Sequence, residues 1–175
     1  MKTILTSFFL VWLLAARAQL PDHTYHPNIR TVKLYKAGDI YSYPVITLNS
    51  AEQLELHFDD MEPDMKYYYY SFQLCNADWK PANVQTFDYI RGFQSNRIST
   101  YRSSSITGIR YTHYQAFFPE KNSAPTRGGN YLLKVFLDGD TSNLVFTRRM
   151  MVLEQKATIP ANVVQPLTPQ WFNTH

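Results

Sequence analysis

The side chains in this sequence that can do chemistry are few and scattered. His23-x-x-His26 offers two imidazoles at metal-ligand spacing, but only a few residues beyond an N-terminal leader, where neither geometry nor further ligands are at hand. Asp59, Asp60, Glu62 and Asp64 crowd one turn. Clustered carboxylates are what Ca²⁺ takes, yet this spacing lacks the ligand alternation and the glycine of a calcium loop, and an acidic hairpin turn accounts for it equally well. Cys75 is the single cysteine, so no internal disulfide is available, and no histidine motif accompanies it as a base. It reads as a half-buried strand residue. His113 reads as an outward-facing strand residue. No nucleophile elbow, phosphate loop or dinucleotide glycine run is present. A carboxylate pair for hydrolysis has no sequence signature, because its separation is spatial. The expectation is a protein that is not an enzyme and uses neither metal nor cofactor.

The leader sets the compartment. Lys2 precedes an apolar run from Ile4 to Ala16, and Ala16-Arg17-Ala18 closes it. A positive start, a short apolar core and a small-residue A-x-A ending form a secretory signal over residues 1–18. The apolar run is too short to span a bilayer comfortably. Gln19 then starts the mature chain. No cysteine stands there for lipid attachment. Removing 18 of the 175 residues leaves 157, enough for one domain with a sizeable core. The chain has 17 Lys+Arg against 14 Asp+Glu, but Lys2 and Arg17 leave with the signal and no acid does. The mature balance is 15 against 14, so no electrostatic argument points to nucleic acid or to an anionic membrane.

The elements that must position any site are strands. Thirteen Tyr and eleven Phe accompany sparse charge. Short segments, punctuated by Gly, Pro, Asn and Asp, are expected at 31–35, 43–48, 53–58, 66–75, 97–103, 111–118, 130–138 and 144–154. Alternation puts Leu54, Leu56 and Phe58 on one face and Glu55 with His57 on the other. It likewise groups Tyr68, Tyr70, Phe72 and Leu74, and separately Tyr114, Ala116 and Phe118. Any helical turn is confined to 78–85, where Pro81 permits only a start. Gly129-Asn130-Tyr131-Leu132-Leu133-Lys134-Val135 has the pattern of a tyrosine corner, with Tyr131 opening the penultimate strand of a sandwich. The fold expected is an immunoglobulin-like antiparallel β-sandwich of about seven or eight strands over 29–155. A flexible lead-in, 19–28, precedes it, and a proline-broken linker, 156–175, points towards a further region.

Aromatic residues beyond the needs of a core mark contact surfaces. Tyr67 and Tyr69 fall on the face of their strand opposite the core set. Trp79, Phe87, Tyr89 and Phe93 follow in a long connection. Folding of that connection over the sheet is expected to bury Phe87 and Phe93. Tyr67, Tyr69, Trp79 and Tyr89 are the candidate partner-binding residues.

Four segments carry a resemblance. They are His26–Val32 with Leu34-Tyr35; Gln53-Leu54-Glu55-Leu56 with Phe58-Asp59-Asp60; Cys75-Asn76-Ala77-Asp78-Trp79; and Tyr111-Thr112-His113-Tyr114 with Phe118-Pro119 and Gly129–Val135. Thr147-Arg148-Arg149 with Met151-Val152 fits as well. In order and together they resemble the N-terminal domain of the type IX secretion system plug proteins of Bacteroidota. The resemblance implies a periplasmic protein that binds the giant outer-membrane translocon barrel and closes its periplasmic mouth. It supplies no catalytic residues. A carbohydrate-binding or other interaction sandwich, using Trp79 with Tyr67 and Tyr69, is the alternative reading.

Overall fold

A computed structural model describes residues 20–157, apart from 63, 106 and 107. The predicted signal and most of the predicted linker lie outside the described residues. Eleven strands follow in order: β1 (Ile29–Lys36), β2 (Val45–Thr47), β3 (Leu54–Asp60), β4 (Tyr68–Cys75), β5 (Ile90–Gly92), β6 (Ser95–Arg97), β7 (Thr100–Ser103), β8 (Thr112–Phe118), β9 (Ser123–Pro125), β10 (Gly129–Leu137) and β11 (Leu144–Leu153). The only helical element among the described residues is a single 3-10 turn, Thr86–Asp88. One sheet has the order β1-β3-β8-β7, the other β2-β11-β10-β4-β6, and β5 pairs with β9 alone. With the first strand divided between the two sheets, this is the strand order of an immunoglobulin-like sandwich. Nine strands form the two sheets. Every pairing is antiparallel except β2 on β11.

The core follows from alternation. Leu54, Leu56 and Phe58 of β3 are wholly buried, as are Tyr114 and Phe118 of β8. They face Tyr68, Tyr70 and Phe72 of β4 and Tyr131, Leu133 and Val135 of β10. Phe58 lies at the centre. Its ring stacks on Tyr114 at 5.0 Å and meets Tyr68 and Phe146 edge-on, each at 5.1 Å. The Tyr131 hydroxyl donates to the Arg127 carbonyl at 2.8 Å, tying the start of β10 to the chain just upstream.

Two features depart from the strands expected. The 97–103 segment is two strands, β6 on β4 and β7 on β8, in different sheets. Ile98 is buried at the crossover, and its N–H donates to the Tyr68 carbonyl at 2.8 Å. Residues 20–28, expected as a flexible lead-in, are instead held along the outer edge of β11. Tyr25 N–H donates to the Val145 carbonyl and Thr147 N–H to the His23 carbonyl, both at 2.8 Å, while the Thr147 hydroxyl donates to the Leu20 carbonyl at 2.5 Å. The physical reason is the shortness of β2. It pairs with β11 only at Met151–Leu153, and the rest of that edge needs partners.

A buried carboxylate anchors the other end of the sandwich. Asp60 has no solvent exposure. It accepts from the Tyr68 hydroxyl at 2.8 Å, the Lys66 ammonium at 2.9 Å and the Glu62 N–H at 3.0 Å. Burial alone would depress the Lys66 pKa, but its bonds to Glu62 and Asp60 outweigh that and hold it above the ordinary lysine value. The ammonium's contribution is therefore intact through neutral pH and is lost only as pH rises through the alkaline range. Lys66→Met strands a buried carboxylate and should cost about 3 kcal/mol at pH 7, read as a loss of roughly 10 °C in thermal midpoint by calorimetry. A midpoint unchanged within a degree would show that Asp60 does not depend on this partner.

Candidate interaction surface

The acidic turn does not converge. Asp59 Oδ1 faces His113 Nδ1 at 2.6 Å on the outer sheet face, Asp60 points inward, and Glu62 bonds Lys66 and Asn28. Among the described residues no three metal-ligating side chains come together. His23 and His26 are also parted. The His23 ring meets Tyr25 edge-on, while His26 Nε2 lies 3.1 Å from Asn143 Oδ1. Cys75 is buried and burial pushes its thiol pKa up, which disfavours the thiolate that chemistry would need.

His113 is part of an outer-face network. His57 Nδ1 and His113 Nε2 face each other at 2.9 Å. Glu55 lies 2.7 Å from His57 Nε2, and Gln115 donates to the same Glu55 oxygen. Tyr35 stacks on the His57 ring at 5.6 Å. Each outer ring nitrogen faces a carboxylate oxygen, and the two inner ring nitrogens face each other. Alternation had already placed Glu55 and His57 on one face. The pairing of β3 with β8 adds His113 opposite Asp59.

The four aromatic candidates separate. Tyr89 is a correction. It is only 1% exposed and belongs to the core, with its ring 6.0 Å from Tyr131. Phe87 and Phe93, expected to be buried, are 69% and 63% exposed. The 3-10 turn puts Phe87 outward and Tyr89 inward, a choice that strand alternation does not make. Tyr67 is exposed beneath the Arg97 guanidinium, 4.0 Å above its ring, and Tyr69 stacks on Phe136 at 6.3 Å. Trp79 lies past the other end of β4, an eight-residue strand of about 26 Å. Tyr67, Tyr69 and Trp79 therefore do not share one platform.

Trp79 belongs instead to a groove at the seam between β1 and β11. Its backbone is in the left-handed region at φ 64°. Asn76 accepts from the Trp79 N–H at 3.0 Å and donates to the Lys80 carbonyl at 2.9 Å, closing a three-residue hairpin loop. That loop type ends on a left-handed residue, ordinarily glycine, so a tryptophan there stores about 1–3 kcal/mol of strain. Its ring carries the Arg149 guanidinium at 4.7 Å. The groove has a volume of about 780 Å³ and reaches from Val32 and Leu34 to Met151. Tyr41 and Tyr43 stand at its rim, 95% and 81% exposed. Sequence reasoning missed both, because Tyr43 read as the start of a strand. The loop that carries them is internally bonded. Ser42 donates from N–H and hydroxyl to the Asp39 carbonyl, at 3.0 and 2.7 Å, and Tyr41 N–H donates to Asp39 Oδ1 at 3.1 Å.

The architecture defines an immunoglobulin-like sandwich module with an aromatic, cationic seam. The sequence matches the family described as type 9 secretion system plug protein, first domain, over residues 29–154, and the chain belongs to that family. Among solved structures it is similar to a hypothetical protein from Parabacteroides merdae ATCC 43184, at 27% identity and a TM-score of 0.73. That similarity covers 77% of this chain and 34% of the other, so the chain spans about a third of that protein's length. An alkylpurine DNA glycosylase, AlkC, from Pseudomonas fluorescens aligns at 12% identity over 70% of this chain and 30% of its own, with a TM-score of 0.35, too low to carry an argument. Comparison with curated proteins returns no match.

The aromatic assignment has a direct check. Tyr89→Ala should destabilise the domain by about 3–5 kcal/mol by emptying a core site. Phe87→Ala and Phe93→Ala should each stay within about 0.5 kcal/mol of the parent. Urea unfolding measures all three, and the reverse order would place Tyr89 outside the core.

Proposed function

We propose that this chain is the first domain of a non-enzymatic, periplasmic component of type IX secretion that binds the outer-membrane translocon barrel and closes its periplasmic mouth. The family match across the whole sandwich is the observation that carries the reading. Residues 1–18 supply the export signal the location requires. No helix among the described residues is long and apolar enough to cross a membrane. A stopper needs a rigid body with complementary surface rather than reacting groups. A sandwich with exposed aromatic side chains on internally bonded loops is suited to that.

Pull-down of the full-length protein from envelope extracts, under conditions that preserve membrane complexes, should bring down the translocon barrel in amounts comparable to the bait. Deletion of the gene should raise outer-membrane permeability to a vancomycin-sized solute, and re-expression should restore the barrier. A barrel absent from the eluate together with an unchanged barrier would sink the reading.

A further inference from the structure

The seam groove combines three features that a sandwich does not need for folding. The first is exposure: Tyr41 and Tyr43 project from a loop bonded to hold them out, although each leaves a large apolar ring in water. The second is strain: Trp79 sits at φ 64°, where glycine would be at ease. The third is charge. Lys33, Arg148 and Arg149 line the groove against the single acid Asp22. Asp22 is already engaged, with Oδ1 accepting from the Arg149 N–H at 2.8 Å and Oδ2 lying 3.3 Å from Arg149 Nε. Arg148 donates to the His23 and Thr147 carbonyls and to the Thr24 hydroxyl, none of them anionic. Burial lowers its pKa and the nearby Asp22 charge only partly offsets that, the mark of a guanidinium taken from water without full compensation.

A carboxylate in the groove would supply that compensation, and an arginine fork binds a carboxylate through two hydrogen bonds. The backbone limits the shape of the occupant. The outer N–H groups of β11 at Thr147, Arg149 and Met151 are already bound, by the His23 carbonyl, the Asp22 carboxylate and the Pro44 carbonyl. β1, on the opposite wall, is an edge strand with β3 as its one neighbour. The Lys36 N–H and carbonyl on that edge are taken by the Ser42 hydroxyl and the Asp39 N–H, so an extended chain laid along Val32 to Leu34 meets the open stretch of the edge on one side and the arginines and rings on the other.

We propose that this groove seats an extended segment of a partner protein, with an acidic side chain against Arg148 and Arg149 and a neighbouring apolar or aromatic side chain against Tyr41, Tyr43 and Trp79. Taking the partner to be the translocon barrel rests on the function proposed above. The groove's preference for acidic-aromatic segments does not.

Two measurements keep the claims apart. In the first, the full-length chain is titrated against purified translocon barrel. Tyr41→Ala with Tyr43→Ala, Trp79→Gly and Arg149→Glu should each weaken binding at least tenfold, while Phe87→Ser with Phe93→Ser leaves it unchanged. Trp79→Gly relieves a strained backbone, so its loss of binding is not a loss of fold, and circular dichroism checks this for each variant. Tight binding by all variants would overturn the groove and leave the plug reading standing. No binding by the parent chain would sink the plug reading and leave the groove to the second measurement. There, the same proteins are titrated with extended decapeptides alternating Phe with Asp, Asn or Lys. The Asp peptide should bind at least tenfold more tightly than the Asn peptide, with the Lys peptide weakest and the order lost in Arg149→Glu. Equal affinity for the three would overturn the proposal. So would concentration-dependent dimerisation abolished by the tyrosine variants, since a second copy would then be the occupant.

Discussion

Everything in this domain hangs on the cluster of rings around Phe58. One cysteine precludes an internal disulfide, so the two sheets must be joined by packing alone. Phe58 and Tyr114 come from one sheet, Tyr68 and Phe146 from the other, and their centroids lie within 5.1 Å of Phe58. Each such pair contributes roughly 0.5–1.5 kcal/mol beyond the area it buries. The choice of tyrosine brings an obligation, because a buried hydroxyl must find a partner. Tyr68 finds Asp60, while Tyr114 accepts from the Lys66 N–H and donates to its carbonyl. The acidic turn, whose clustered carboxylates lack the spacing of a calcium loop, is thus partly the polar lining of an aromatic core.

The same sandwich has to manage its edges. β6 and β7 are short, and β7 is exposed throughout. Short edge strands discourage association with other sheets. The edge of β11 is handled differently. The lead-in covers one stretch and β2 the other, and between them Asp22 caps the Arg149 N–H with a side chain instead of a strand. β1 bulges between Arg30 and Lys33, with Thr31 at φ 55°, as it leaves this region. The seam is the consequence of a first strand that serves both sheets and fully closes neither.

What the sequence made legible was whatever repeats with period two. Leu54, Leu56 and Phe58, or Tyr68, Tyr70 and Phe72, declare their faces without help from the rest of the chain. The split of 97–103 was illegible because a sheet change leaves the local alternation nearly intact, and only the burial of Ile98 between the halves reveals it. β5 and β9 have three residues each, too few for a period. Trp79 stood out by residue type, but its place at the seam depends on a hairpin whose strained member no pattern marks. Tyr41 and Tyr43 lie in a loop closed by Asp39 and Ser42, where side-chain hydrogen bonds decide which rings face water. Tyr89 and Phe87 sit two residues apart, and a 3-10 turn sends them opposite ways.

Local rules that a fold breaks without gain to its stability are where function is best sought. The core obeys alternation, and its buried tyrosines are bonded. The breaches gather at one place: a tryptophan where glycine belongs, two tyrosines held in water, and a half-buried arginine that shares its one nearby acid, Asp22, with Arg149. Each costs the isolated domain something, and none is needed to join the sheets. A single occupant offering one acidic and one apolar side chain would offset all three together. The seam is therefore better explained as half of an interface than as a flaw in packing.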